Sequence, residues 1–112
     1  HMTIEKSLDN NQCTIQLDQG PRRNSVCPAV DNLFESLAKV FGNSCVAFVL
    51  TGMGEDGMVG AKSIKSVSGS IIIQDAATST VWGMPGAVFA SGNYDVMVSI
   101  EDCANYLVQM VK

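Results

Sequence analysis

The chain has few of the residues that mark several common functional classes. It contains one histidine, one tryptophan and seven Lys or Arg residues among 112, with a net charge of −4. The basic residues are scattered apart from the pair Arg22-Arg23, so they form no stripe that could follow a nucleic-acid backbone. The four cysteines show no CxxC or Cys/His spacing, which argues against a metal centre. We therefore expect no metal, no cofactor and no nucleic-acid partner.

Long apolar runs are also missing. No hydrophobic stretch approaches 18 residues, and no signal-peptide core opens the chain, so the sequence predicts neither membrane insertion nor secretion. We expect a cytoplasmic protein with reduced thiols, of which Cys45 is the best candidate for burial. His1-Met2 is typical of a cleaved affinity tag, so residues 1–2 are interpreted as a tag remnant. Residues 3–11 are polar and are predicted to be a flexible N-terminal segment.

The remaining chain, residues 12–112, has the composition and periodicity of a folded domain. Hydrophobic residues make up 46% and charged residues 16% of the sequence. Apolar spacing predicts strands and helices in strict alternation. The predicted strands are 13–17, 45–50, 71–73 and 94–100, and the predicted helices are 28–41, 57–66, 86–90 and one from about residue 100 onward. This order is typical of an α/β fold with a mostly parallel, wound sheet and right-handed crossovers.

The segment 45–57 is the most informative part of the sequence. The apolar run 46–50 predicts a strand that is buried on both faces. It leads into a loop that contains three glycines and the adjacent acids Glu55 and Asp56. Since open α/β sheets place their active sites at the carboxyl ends of strands, a carboxylate in this loop is a candidate functional group.

Three interpretations of this loop are open from the residues alone. Gly52-x-Gly54-x-x-Gly57 has the spacing of a dinucleotide-binding loop, but Glu55 and Asp56 would repel a pyrophosphate. Alternatively, the glycines only allow a tight strand-to-helix turn. In the third interpretation Asp56 is a catalytic carboxylate that faces a crevice and orients an imidazole supplied from elsewhere.

Three motifs of the sequence resemble the signatures of one protein family. Residues 50–57, Leu-Thr-Gly-Met-Gly-Glu-Asp-Gly, resemble the signature L-T-G-M-G-x-D-G. Gly20-Pro21 followed by residues 28–34 is similar to G-P…P-S-V-D-x-L-F. Residues 74–79 followed by Val81-Trp82-Gly83-Met84-Pro85 are similar to Q-D-E-A-T-S-x-V-[WYF]-G-M-P. These are signatures of the chemotaxis protein-glutamate methylesterases, the CheB family. The resemblance covers residues 12–112, which would be the C-terminal portion of such a methylesterase domain.

The resemblance implies a three-layer α/β/α domain and a serine hydrolase. Such an enzyme hydrolyses glutamate methyl esters, and in many members deamidates glutamines, on methyl-accepting chemotaxis receptors. Asp56 would be the triad aspartate. The residues of the substrate and oxyanion-side loop would be Thr51, Gly52, Met53 and Gly54, and Trp82 and Met84 either line the crevice or pack beneath the loop.

The same resemblance implies parts that this sequence does not contain. The triad serine and histidine belong to the N-terminal half of the family's domain, and a receiver domain usually precedes that half. We therefore expect this chain alone to be inactive, and to expose a sheet edge through which it could dimerise. Cys27, Ala29 and Ala76 stand where the family more often has Arg, Ser and Glu. A non-catalytic interaction module of the same fold thus stays an alternative.

Overall fold

A computed structural model describes residues 1–111 and contains two separate sheets. The elements, in chain order, are β1 (Met2–Lys6), β2 (Cys13–Leu17), α1 (Val30–Phe41), β3 (Val46–Val49), α2 (Met58–Ser66), β4 (Ser70–Gln74), α3 (Gly83–Ser91), β5 (Val96–Val98) and α4 (Ile100–Met110). A short 3-10 turn, Gly42–Ser44, joins α1 to β3.

The main sheet is parallel and has the strand order β3-β4-β5. Ile71, Ile72 and Ile73 in β4 have no solvent exposure. Since successive side chains of a strand point to opposite faces, both faces of β4 are covered. This burial confirms the predicted α/β class with a covered parallel sheet, and it places the carboxyl ends of the strands at one edge.

Helices α1 and α2 pack against each other and against one face of this sheet. The core that they share contains these buried residues: Phe34, Ala38, Cys45, Ala47, Val49, Ala61, Ile64, Ile71, Ile73 and Val88. The two helices are in close contact at Gly60, where a Cβ atom would lie 2.5 Å from Cβ of Phe34. Glycine therefore allows the start of α2 to lie against α1 without displacing Phe34.

The N-terminal part of the chain differs from the sequence prediction. β2 was expected in the wound sheet, but it pairs antiparallel with β1 in a hairpin of its own. All five residues of β2 are exposed, which a central parallel strand could not be. Residues 3–11, predicted as a flexible segment, contribute most of β1, and the Ile4 amide donates to Oγ of Ser36 on α1 at 3.0 Å.

Helix α3 begins earlier than predicted. The sequence predicted a bend through Pro85 and a helix from Gly86, whereas the helix begins at Gly83. Proline is compatible with the first turn of a helix because the amides there have no intrahelical acceptor. The longer α3 places Met84 beside the loop that follows β3.

Candidate functional site

Asp56 lies in the loop between β3 and α2, at the carboxyl end of the sheet. Its residue exposure is 7%. Oδ2 accepts a hydrogen bond from the Val30 amide at 2.6 Å, and Oδ1 accepts one from the Asp31 amide at 3.1 Å. Both donors belong to the first turn of α1, where backbone amides have no intrahelical partner.

The surroundings of Asp56 differ from the sequence prediction. The carboxylate was expected to face a crevice, but only 7% of the residue is exposed. Its backbone donors belong to a helix more than twenty residues upstream, which no local pattern around Asp56 indicates. The physical reason is that a helix N-terminus offers free donors and a positive dipole end, which stabilise a carboxylate.

Asp31, in the first turn of α1, forms the reciprocal interaction with the start of α2. Its Oδ1 accepts from the Gly57 amide at 3.0 Å and from the Gly60 amide at 2.7 Å, both at the start of α2. Asp31 is 1% exposed. Each of the two neighbouring helices thus carries, in or before its first turn, the carboxylate that caps the other. A cap of this kind contributes about 1 kcal/mol to stability.

Asn24 connects the two carboxylates. Its Nδ2 donates to Oδ2 of Asp31 at 2.8 Å and to Oδ1 of Asp56 at 3.0 Å. An amide nitrogen has two hydrogens to donate, so each carboxylate receives one. Asn24 has a φ of 55°, a left-handed conformation that asparagine adopts more readily than most residues.

One ion pair borders this cluster. The guanidinium of Arg23 binds both carboxylate oxygens of Glu35, with Nη2 to Oε2 at 2.9 Å. This hydrogen bond lowers the pKa of Glu35 and raises the pKa of Arg23. Nε of Arg23 also lies 4.0 Å from Oδ2 of Asp31. A positive group therefore stands beside the two buried carboxylates.

The predicted oxyanion-side loop is held by backbone contacts to the segment before α3. The Gly52 amide donates to the Val81 carbonyl at 3.0 Å, and the Met84 amide donates to the Gly52 carbonyl at 2.9 Å. Oγ1 of Thr51 accepts from the Val81 amide at 2.8 Å. Beyond these anchors Met53 is 82% exposed, and Gly54 has a φ of 85°. The loop is thus fixed at its base and open at its tip.

Gln74 is a supporting residue that the sequence did not reveal. It is 1% exposed, and its Oε1 accepts from the Thr51 amide at 2.8 Å while its Nε2 donates to the Thr78 carbonyl at 2.8 Å. The amide therefore ties the end of β3 to the loop after β4. A glutamine that ends a strongly apolar strand is the signal that could have indicated this role.

Trp82 and Met84 support the loop from below. Nε1 of Trp82 donates to the Gln74 carbonyl at 3.0 Å, and its ring lies 5.3 Å from that of Phe89. Met84 packs against the core, and its Sδ would be 2.5 Å from a Cβ on Gly52. Both side chains are half-buried. Packing beneath the loop is the arrangement that these contacts describe, and a crevice-lining role stays a prediction.

His1 has a defined place in the fold. It is 7% exposed; its Nδ1 accepts from the Ala29 amide at 3.0 Å, and its Nε2 lies 2.7 Å from the Pro21 carbonyl. Because a carbonyl only accepts, Nε2 carries the proton and Nδ1 is the acceptor. Ala29 is the residue before α1, so His1 holds the segment that leads into the Asp56-binding turn. His1 directly precedes β1, and the alternation of apolar and polar residues in 2–6 is the sequence signal that could have indicated this strand.

The glycine loop is poorly suited to a dinucleotide. In that interpretation the amides at the start of α2 would bind a pyrophosphate. Here the Gly57 and Gly60 amides are already bound to the carboxylate of Asp31.

Within residues 1–111, no group of three or more His, Cys, Asp or Glu side chains is arranged to hold a metal ion. No helix in that part of the chain is long and apolar enough to cross a membrane.

Comparisons with known proteins agree on one family. The family model for CheB methylesterase matches residues 1–107. The chain is 46% identical, over its full length, to a protein-glutamate methylesterase/protein-glutamine glutaminase of Maricaulis maris and 41% identical to one of Caulobacter vibrioides. It spans 27% and 32% of these relatives. The crystal structure of the Thermotoga maritima CheB methylesterase catalytic domain has a TM-score of 0.94 at 31% identity, over 98% of this chain and 57% of that one.

Proposed function

Because the chain belongs to the CheB methylesterase family, we propose that it is the C-terminal portion of a protein-glutamate methylesterase domain and supplies Asp56 as the triad aspartate. The substrate class is a glutamate methyl ester on a methyl-accepting chemotaxis receptor, and the products are methanol and the free carboxylate. Glutamine deamidation, which the names of the relatives also mention, would use the same acyl chemistry.

The observation that carries this proposal is the anchoring of the Asp56 carboxylate. Two backbone amides of α1 bind it at 2.6 and 3.1 Å, so its orientation is fixed before any partner arrives. In a serine-hydrolase triad the aspartate accepts a hydrogen bond from Nδ1–H of the histidine, which holds the imidazole in the tautomer that can deprotonate the serine. A carboxylate that is held in this way at the carboxyl end of a sheet suits this task.

The loop 51–54 provides the second part of the proposed site. Its base is fixed by Val81, Met84 and Gln74, and its tip, Met53, is exposed. In ester hydrolysis the carbonyl oxygen becomes an oxyanion that needs preorganised donors. We assign this loop to the oxyanion side of the crevice, with Trp82 and Met84 supporting it.

The serine and histidine must come from the part of the domain that this chain does not span. A serine without a base is a poor nucleophile, so this chain alone is expected to release no methanol above background. A receiver domain in the complete protein is part of the same proposal. An interaction module without catalysis is the alternative, and it predicts no methanol release from the complete protein either.

The decisive experiment compares Asp56→Asn with Glu55→Gln in the complete protein. Glu55 is the adjacent, exposed acid of the same loop, so its substitution controls for a change of loop charge. We expect Asp56→Asn to lower kcat for methanol release on the order of 10⁴-fold, as in the best-studied triad, and Glu55→Gln to change it less than about threefold. Equal activity of Asp56→Asn and the unmodified protein would contradict the proposal.

A further inference from the structure

The carboxylate oxygens of Asp56 are not equivalent. Oδ1 receives two donors, the Asp31 amide at 3.1 Å and Nδ2 of Asn24 at 3.0 Å. Oδ2 receives one, the Val30 amide at 2.6 Å. Because each carboxylate oxygen has two lone-pair directions, Oδ1 is fully used and Oδ2 keeps one free.

The structure assigns Asn24 as the positioning residue of this carboxylate. We propose that its amide, by saturating Oδ1, leaves Oδ2 as the single acceptor for the imidazole of the complete enzyme. This inference deepens the proposed function and rests on it, since it concerns the task of Asp56 in the triad. Nothing in the motif L-T-G-M-G-x-D-G points to Asn24, which lies 32 residues from Asp56 in the chain.

The orientation of the Asn24 amide follows from its two partners. Asp31 and Asp56 both present carboxylate oxygens, which only accept, so the nitrogen of the amide must face them. Without that nitrogen, two carboxylate oxygens would face each other across the space that it fills. The two neighbouring carboxylates would then repel each other, and we expect the Asp56 carboxylate to rotate away from its present orientation.

The local backbone makes Asn24 a practical target. Asn24 and Ser25 both have positive φ, 55° and 66°, and both residues are exposed overall. Glycine accepts this conformation without strain. Asn24→Gly therefore removes the side-chain amide without distorting the turn. Ser25→Gly is a matched control, because it loosens the same turn but keeps the hydrogen bonds from Asn24 to Asp31 and Asp56.

The test measures kcat and KM for methanol release by the complete protein. We expect Asn24→Gly to lower kcat roughly tenfold, the scale of one hydrogen bond to a charged group, with KM changed less than about twofold. Asn24→Asp, which keeps the shape and replaces the donor by a third carboxylate, should lower kcat further. Ser25→Gly should leave both constants unchanged.

A double-mutant cycle separates positioning from a structural role. If Asn24 acts through Asp56, adding Asn24→Gly to Asp56→Asn should lower kcat no further, although the unfolding midpoint still shifts. The same tenfold loss in both backgrounds would overturn the inference, as would unchanged kcat in Asn24→Gly and Asn24→Asp. These outcomes are distinct from failure of the proposed function, in which Asp56→Asn itself keeps full activity.

Discussion

The buried polar side chains of residues 1–111 surround the proposed site. They are His1, Asp31, Asp56 and Gln74. Burial of a polar group is unfavourable unless it is hydrogen-bonded, and in this part of the chain no buried side-chain nitrogen or oxygen lacks a partner. Each of the four side chains binds at least one backbone amide at a helix start or in a neighbouring loop. The other partners include two backbone carbonyls and the side chain of Asn24. Sequence rules predict that apolar residues fill the core, so they are expected to fail at a site where buried residues are polar.

His1 provides a test at the scale of one residue. We predict that His1, although it was interpreted from the sequence as part of a tag remnant, contributes to the stability of the fold. His1→Ala would leave the buried Ala29 amide without its acceptor, and an unsatisfied buried donor costs about 1–3 kcal/mol. We expect the free energy of unfolding of the complete protein to fall by about that amount, measured by urea denaturation.

The matched control for His1 is Leu8→Ala in the same hairpin. Leu8 is fully exposed, so its truncation should change the free energy of unfolding by less than about 0.5 kcal/mol. If His1→Ala is as mild as Leu8→Ala, then His1 is only an appendage of the hairpin.

Sequence reasoning could identify Asp56 but not its partners. The motif around residues 50–57 marks one acid, and strand burial marks its place at the sheet edge. The donors Val30 and Asp31 lie 26 and 25 residues away, and nothing local in the sequence links them to Asp56. Such contacts depend on how α1 packs on α2, which a periodicity pattern does not specify.

Elements with strong apolar patterns were predicted well because burial determines them. The strand predicted at 45–50 is β3 (Val46–Val49), although its expected burial on both faces was wrong for the face of Val46, which is exposed. The strand predicted at 71–73 is the centre of β4. β2 was predicted at its observed bounds, but it lies in another sheet, since alternation alone does not say which strand is its partner. β1 was missed because its neighbours 7–11 are polar, although they form the turn of the hairpin.

The exchange of caps between α1 and α2 requires a close approach of the two helices. Gly60→Ala tests this requirement. A Cβ there would lie 2.5 Å from Phe34 Cβ and 3.1 Å from Asp31 Oδ1. Alanine favours a helix by about 1 kcal/mol over glycine, but overpacking costs about 1–3 kcal/mol. We expect a net loss of stability, a displaced Asp31 and a lower kcat, measured by thermal unfolding and methanol release.

Lys62→Ala is the control for this helix variant. Lys62 is exposed on α2, so the alanine there adds helix propensity without meeting α1. Its unfolding temperature should stay the same or rise slightly. A Gly60→Ala protein that is more stable than the unmodified protein would show that α1 and α2 can separate without loss.

The whole chain has the features of a partial layered domain. It spans 57% of the Thermotoga maritima catalytic domain. β3 pairs with β4 on one side, and its other side is an edge of the sheet. Apolar residues along this edge are partly exposed, Val46 at 36% and Leu50 at 40%. An apolar hollow, lined by residues such as Leu17, Pro28 and Leu33, also opens between the hairpin and α1.

An open edge and exposed apolar surface favour association, because unpaired strand edges pair with other chains. We therefore expect the isolated chain to self-associate at concentrations where the complete protein does not, as measured by sedimentation velocity. Val46→Lys places a charge on β3 and should weaken this association, since edge charges block strand pairing. Val59→Lys, at a residue that is 40% exposed on α2, is the matched control and should have no such effect. A monomeric chain at high concentration would mean that β3 is sealed without a partner, and equal effects of the two lysines would place the contact elsewhere than on this strand.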